Sequence, residues 1–170
     1  MAQGKSLSNI NQTCLNSPLS AGLMLLRFII GWHFLYEGII KLVDPGWSSV
    51  GYLAQSKWLF SGIFNWIAVS PKVLAVVDQL NIWGLIFIGA GLILGFFTRW
   101  AAISGMFLLA LYYTANPPFM ATSGMAAEGN YLFIDKNLVE LMALGVLAAL
   151  PVRSLPGLDR IFHLLSPVGN

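Results

Sequence analysis

Four long apolar stretches run along the chain, and short polar or turn-forming segments separate them. They cover about residues 19–42, 73–97, 100–115 and 133–152. A helix needs about 20 mainly apolar residues to cross the ~30 Å hydrocarbon core of a bilayer. The pattern therefore predicts an all-α membrane protein, in which residues 1–170 form a single domain built on an antiparallel four-transmembrane-helix bundle.

The segments between and after these stretches have their own character. Residues 43–72 are interrupted by Gly, Ser and Lys, and they include Trp47, Trp58 and Trp66. Tryptophan is typical of the membrane–water interface, so we predict an interfacial segment that serves as a lid. Only Thr98 and Arg99 separate the second and third stretches, which predicts a tight antiparallel hairpin. Residues 154–165 are predicted to form a short amphipathic helix on the opposite surface.

Polar residues collect at alternate ends of the four predicted spans. They are Glu37, Lys41 and Asp44 at the end of the first, Asp78, Gln79 and Asn81 at the start of the second, Tyr112, Tyr113 and Asn116 at the end of the third, and Asp135, Lys136, Asn137 and Glu140 at the start of the fourth. Antiparallel threading brings all of these ends to the same half of the membrane. The sequence therefore predicts a polar pocket near one membrane surface.

The first span carries a row of ionisable residues within an otherwise apolar helix. His33, Glu37 and Lys41 recur every four residues and so share one helix face, with Arg27 on a neighbouring stripe. A charged side chain at the bilayer centre costs about 2.5–3.5 kcal/mol, so the row is expected to face the bundle interior. Its partners from neighbouring helices are then expected to be Asp78, Asp135 or Glu140. An alternative is that such pairs only fix the register of the helices.

Glycines mark a close contact between helices in the second span. Gly84, Gly91 and Gly95 fall on one helix face, and this small-residue spacing predicts a packing seam. The same stretch, "GAGLILG", superficially resembles a dinucleotide-binding pattern. It has no preceding strand, so we do not interpret it as one.

Composition agrees with a membrane protein and excludes several other classes. The chain is 57% hydrophobic and 9% charged, whereas soluble domains carry about 25% charged residues. A net charge of +2, scattered along the chain, gives no reason to expect a nucleic-acid partner. The single cysteine, Cys14, excludes intramolecular disulfides and Cys-ligated clusters. His33 and His163 are predicted on opposite membrane sides, so a bis-histidine haem is not expected. The sequence shows no cluster of metal ligands, so no metal is expected.

Several segments resemble the DoxX superfamily of small four-helix membrane proteins. They are "RFIIGWHFLYEGIIKLVDPGWSSVGYL", "LNIWGLIFIGAGLILGFFTR", "YYTANPP", "EGNYLFIDKNLVE" and "GLDR". The resemblance covers roughly residues 20–162 and looks strongest to the DoxD branch, the transmembrane subunit of thiosulfate:quinone oxidoreductase. It implies a membrane subunit of a quinone-linked oxidoreductase. Such a subunit passes electrons from a thiosulfate-like substrate or a partner dehydrogenase to membrane quinone, either ubiquinone or menaquinone.

The polar positions that match the family are Arg27, His33, Glu37, Lys41, Asp135, Asn137 and Glu140. We infer their roles, and those of nearby polar and aromatic residues, from their chemistry. Residues His33, Glu37, Lys41 and Glu140 are the candidate catalytic residues, and Arg27, Trp32, Tyr36, Asp78, Tyr112, Tyr113, Asp135 and Asn137 are the candidate quinone-binding residues. Histidine, lysine and tyrosine supply hydrogen-bond donors, the two glutamates relay protons, and the aromatic rings stack on the quinone. For the aromatic residues, ordinary core or interface packing is the alternative.

Two other functions remain open at this point: a non-catalytic membrane anchor or assembly subunit, and a small proton-coupled transporter. The expected partners are the lipid bilayer, membrane quinone, and a second subunit or soluble dehydrogenase. Four spans bury little surface, which favours a homodimer. We expect the cytoplasmic (inner) membrane of a bacterium or archaeon, with cytoplasmic termini and an outward-facing pocket. The electron donor and the quinone type are not fixed by the sequence.

Overall fold

Helices account for most of the structure, a computed structural model that describes residues 18–120 and 131–149. The helices are α1 (Pro18–Val43), α2 (Val50–Ala54), α3 (Ser61–Val69), α4 (Pro71–Leu94), α5 (Thr98–Ala115) and α6 (Lys136–Ala149), with a 3₁₀ turn at Pro118–Met120. In these two ranges, β pairing is limited to one bridge between Tyr131 and Ile134. The all-α prediction is confirmed for this part of the chain. Cys14, His163 and the predicted helix at residues 154–165 lie outside it.

Helices α1 and α4 are the two in the described ranges that are long and apolar enough to cross a membrane. Helix α1 has almost the bounds that the sequence predicts. Helix α4 begins with Pro71, which is favourable in a first turn, and ends earlier than predicted because Gly95 adopts a left-handed conformation with φ 65°. Four membrane crossings remain a prediction.

The close seam of the fold joins α1 to α4 through glycines. A Cβ atom at Gly89 would overlap the Leu35 backbone and lie 2.6 Å from the Gly31 carbonyl oxygen, while Gly38 faces Ile86. Gly31 lies near Gly89, whereas Gly38, which comes later in α1, faces Ile86, which comes earlier in α4. The two helices therefore run antiparallel. The predicted seam is wrong at Gly84, where a Cβ would meet nothing within 4 Å.

Helices α5 and α6 complete the core around this pair. Gly105 of α5 lies against Leu144 of α6, which is fully buried together with Leu92 of α4. Phe34 of α1 belongs to the same apolar cluster. Many large apolar side chains remain exposed on the outer faces, including Phe87 at 68%, and this is the surface that lipid would cover.

The segment between α1 and α4 folds back beside the end of α5. It contains the short helices α2 and α3, whose Leu53 and Phe64 form a small cluster with Ala115. Trp58 packs edge-on against Phe119, with ring centroids 5.3 Å apart. The segment is therefore attached to the helical core through its own apolar contacts.

Candidate functional site

A cavity of about 270 Å³ lies between α1, α4, α5 and α6. Residues 47–54, which we call the cavity roof, complete its wall. The lining residues are His33, Phe34, Glu37, Lys41, Trp47, Ser48, Ser49, Tyr52, Asn81, Leu85, Leu109, Tyr112, Lys136, Asn137 and Glu140. The cavity thus combines a charged wall with an apolar one.

Four ionisable groups form a continuous series along the charged wall. Glu140 Oε1 lies 2.6 Å from His33 Nδ1, and His33 Nε2 lies 4.0 Å from Glu37 Oε1. Glu37 Oε2 in turn lies 3.5 Å from Lys41 Nζ. Acidic and basic groups therefore alternate from α6 along α1. We call these four residues the charged row.

Local sequence explains why the row is continuous. His33, Glu37 and Lys41 share one face of α1 because they are spaced four residues apart. Glu140 reaches them because α6 begins at a fixed place: the Asp135 carboxylate accepts a hydrogen bond from the Leu138 N–H at 2.9 Å. An aspartate in this position satisfies a backbone donor that the first helical turn leaves free.

Aromatic side chains surround the end of the row. Lys41 Nζ lies 5.2 Å from the centre of the Trp47 ring and 5.7 Å from that of Tyr112, both within the range of a cation–π interaction. The Tyr52 hydroxyl donates to the Tyr112 carbonyl oxygen at 2.7 Å. Burial raises the pKa of the Tyr52 hydroxyl above its ordinary value, so this group stays protonated and continues to donate.

The opposite wall is apolar apart from one polar contact. Phe34, Leu85 and Leu109 supply its aliphatic and aromatic surface. Asn81 Nδ2 donates to the Tyr112 hydroxyl at 2.6 Å. A largely apolar pocket with a few converging polar groups is the usual form of a small-molecule site, and this volume suits a molecule of about one ring.

The structure brings half of the predicted site residues to the cavity. Those that line it are His33, Glu37, Lys41, Tyr112, Asn137 and Glu140; those that do not are Arg27, Trp32, Tyr36, Asp78, Tyr113 and Asp135. Trp32 and Tyr36 are 55% and 52% exposed, and their rings stack at 6.4 Å. They lie outside the cavity because their positions in the helical repeat turn them away from the charged row.

Three other predicted residues lie away from the cavity lining. Arg27 is buried, and it lies on α1 well before the row begins. The Tyr113 hydroxyl donates to the Phe133 carbonyl oxygen at 2.8 Å. Asp78 accepts hydrogen bonds from Ser48 and Ser49.

Of the three acids that could pair with the charged row, Asp78 and Asp135 make other contacts. Each carboxylate accepts hydrogen bonds from nearby backbone and side-chain donors, Asp78 from the cavity roof and Asp135 from the start of α6. Of the three acids considered, Glu140 is the one that reaches the row.

Sequence reasoning overlooked several lining residues as site residues: Trp47, Ser48, Ser49, Tyr52, Asn81 and Lys136. Asn81 and Lys136 belong to the polar span ends and were detectable by that signal. Trp47 belongs to the predicted lid, but nothing in the sequence indicated that it or the other three roof residues would line the cavity, because their position depends on contacts with distant parts of the chain. Within residues 18–120 and 131–149, no group of three or more His, Cys, Asp or Glu is arranged to hold a metal ion.

Comparison with known proteins gives one match. The family model described as DoxX matches residues 22–116, more than half of the chain. The matched region contains α1, with His33, Glu37 and Lys41, and extends through the cavity roof to the end of α5. No curated protein and no solved structure matches the chain.

Proposed function

Because the chain belongs to the DoxX family of membrane proteins, we propose that it is the membrane subunit of a quinone-linked oxidoreductase. It takes electrons from a small thiosulfate-like reductant or a partner dehydrogenase and delivers them to membrane quinone. In this proposal α1, α4, α5 and α6 are the four transmembrane helices of an inner-membrane protein of the DoxD type. The candidate site is the cavity between them.

The observation that carries the proposal is the meeting of a charged row and an apolar wall in one cavity. Reduction of a quinone consumes two electrons and two protons, and it converts both carbonyl oxygens to hydroxyls. A site for it needs proton carriers and hydrogen-bond donors beside an apolar surface for the ring. The charged row supplies the proton carriers and the hydrogen-bond donors. The apolar surface for the ring comes from Phe34, Leu85 and Leu109.

Each residue has a role that follows from its contacts. Lys41 donates a hydrogen bond to one carbonyl oxygen of the quinone, since its ammonium group lines the cavity beside Glu37. His33 and Glu140 carry a proton between them across 2.6 Å, a distance suited to general acid–base catalysis. Trp47 and Tyr112 offer ring faces for stacking. The two electrons come from the reductant, and water at the cavity mouth restores the protons.

The first test is binding of a short-chain quinone to the purified protein in detergent. Titration with decylubiquinone, followed by tryptophan fluorescence, is expected to show saturable quenching. Substitution Lys41→Met removes a donor to the ligand, and we expect it to weaken binding about tenfold, as for loss of one hydrogen bond to a charged group.

Lys57→Met is the matched control, because Lys57 is exposed and does not line the cavity. Its affinity for decylubiquinone should equal that of the wild type. Equal affinities for Lys41→Met and Lys57→Met, or an absence of saturable binding to the wild type, would contradict the proposal. A partner dehydrogenase that works normally with a Glu37→Gln variant, yet fails without the protein, would instead identify a non-catalytic anchor.

A further inference from the structure

The first end of the cavity roof, residues 47–54, makes three hydrogen bonds to a single carboxylate, that of Asp78. Ser48 Oγ donates to Asp78 Oδ2 at 2.8 Å, and the Ser49 N–H donates to Asp78 Oδ1 at 3.0 Å. The Ser49 hydroxyl donates to the same oxygen. These three contacts join the roof to α4 across 29 or 30 positions of sequence, so Asp78 is a tertiary anchor.

A second anchor holds the other end of the roof to α5. The Tyr52 hydroxyl donates to the Tyr112 carbonyl oxygen, and Asn116 Nδ2 donates to the Tyr52 carbonyl oxygen at 2.8 Å. Leu53 is buried beside Ala115. This end combines hydrogen bonds with apolar packing, whereas the first end depends on Asp78 and on the Lys41–Trp47 contact.

The roof has little stability of its own. Helix α2 has five residues, Val50–Ala54, and a helix this short does not persist without tertiary contacts. Hydrogen bonds to a charged acceptor are stronger than those between neutral groups. The bonds to Asp78 are therefore the largest polar contribution to holding the first end of the roof closed. Because the Ser48–Asp78 bond is exposed, water can replace it when the roof opens.

We propose that Asp78 is a positioning residue that latches the cavity roof, and that release of this latch admits and discharges the quinone. The inference rests on the proposed function for the identity of the ligand, and it adds a gate to that site. Trp47, Ser48, Ser49 and Tyr52 line the cavity from the roof, so opening at the Asp78 end removes one wall. Asp78 acts through the roof and does not itself line the cavity.

Hydrogen exchange on the full chain in nanodiscs tests the latch without any ligand. Asp78→Ala is expected to speed exchange of the amides in residues 47–54 by about tenfold or more, because local opening governs their exchange. Asp44→Ala is the control: Asp44 has the same charge and accepts a local hydrogen bond from the Gly46 N–H. It should leave the exchange of Ser49 through Ala54 unchanged.

Stopped-flow binding of decylubiquinone provides the second measurement. If the roof gates the cavity, Asp78→Ala raises the association and dissociation rate constants together, about tenfold each, and changes Kd by less than about threefold. Asp78→Asn, which keeps the size of the side chain and removes its charge, is expected to give a smaller change in the same direction. It also serves as the variant to compare if Asp78→Ala folds poorly.

Three results would overturn the latch. Unchanged exchange in residues 47–54 means that Asp78 does not hold the roof. If amide exchange in α1 and α4 speeds up as much as in the roof, Asp78 stabilises the whole fold and not the roof in particular. A weaker Kd at an unchanged association rate means that Asp78 contacts the ligand directly. Failure of the wild type to bind decylubiquinone refutes the proposed function, while the exchange measurement still decides the latch.

Discussion

Lys41 is the residue at which the parts of the site meet. Its ammonium group lies 3.5 Å from Glu37, and it lies over the rings of Trp47 and Tyr112. It therefore connects the charged row on α1 with the cavity roof and with α5. A methionine in its place keeps most of the apolar stem and loses all three electrostatic contacts, so the Lys41→Met variant described above separates charge from packing.

At the other end of the row, His33 and Glu140 join α1 to α6. Their side chains are 35% and 22% exposed, so water screens part of their attraction, and we expect a coupling of about 1 kcal/mol. His33→Leu and Glu140→Gln should each lower the free energy of unfolding. The double variant should lose about 1 kcal/mol less than the sum of the two, as measured by unfolding in mixed detergent micelles.

A second double-mutant cycle controls for effects that do not come from the contact between His33 and Glu140. Trp32 neighbours His33 in sequence but is half exposed and outside the cavity. The losses in free energy of unfolding caused by Trp32→Leu and by Glu140→Gln should therefore add in the double variant. A purely additive His33 and Glu140 cycle would show that the 2.6 Å contact contributes nothing to stability.

At the scale of the helices, the position of α4 against α1 depends on the absence of a side chain at Gly89. A Cβ there would contact the Leu35 backbone and the Gly31 carbonyl oxygen. These are backbone atoms of α1, which cannot yield as the end of a side chain would. The two helices would have to separate, and the row on α1 would move relative to Asn81 and Leu85 on α4.

Gly89→Ala is therefore expected to destabilise the protein by about 1–3 kcal/mol, the usual cost of overpacking. Thermal unfolding in detergent, followed by circular dichroism, measures the loss. Gly84→Ala is a matched control on the same helix, because a Cβ there meets nothing within 4 Å. If the two variants unfold at the same temperature, the glycine seam does not determine the approach of α1 to α4.

The same helices show what a sequence reveals and what it leaves undecided. The four-residue spacing of His33, Glu37 and Lys41 predicts a shared face from helix geometry alone, and the polar ends of the apolar stretches predict the place of Glu140. Glycine spacing marks a seam, but it does not say which glycine meets a neighbour. Gly89 meets one and Gly84 does not, because the contact depends on how the second helix lies.

The sequence also left undecided which groups the acidic side chains would contact. An acid at the start of an apolar helix is equally suited to pairing with a base and to binding backbone N–H groups. For Asp135 the donors of its own helix are closer than the charged row. For Asp78 the donors come from Ser48 and Ser49, about thirty residues away. The tryptophans of residues 43–72 predict a lid, but no local pattern predicts which residues hold it in place.

Considered as a whole, the molecule turns the charged row inward and leaves many large apolar side chains exposed on its outer faces. The charged row lines the cavity, while Phe28, Trp83 and Phe87 are among the large side chains exposed on the outer faces. Burying charge is tolerable in a membrane when the groups face one another or a water-filled cavity. A quinone dissolved in the bilayer can approach the outer faces at many points, but the cavity is where it would meet proton carriers.

Photoaffinity labelling of the full chain in nanodiscs distinguishes these surfaces most directly. An arylazido ubiquinone analogue is crosslinked by light, with and without excess decylubiquinone, and the labelled residues are mapped by mass spectrometry. We expect competed labelling on cavity residues between His33 and Tyr52, and weaker labelling in the Lys41→Met variant at the same concentration of the analogue. Labelling that decylubiquinone does not compete, or that falls on outer residues such as Trp32 and Phe87, would show that the cavity is not the quinone site.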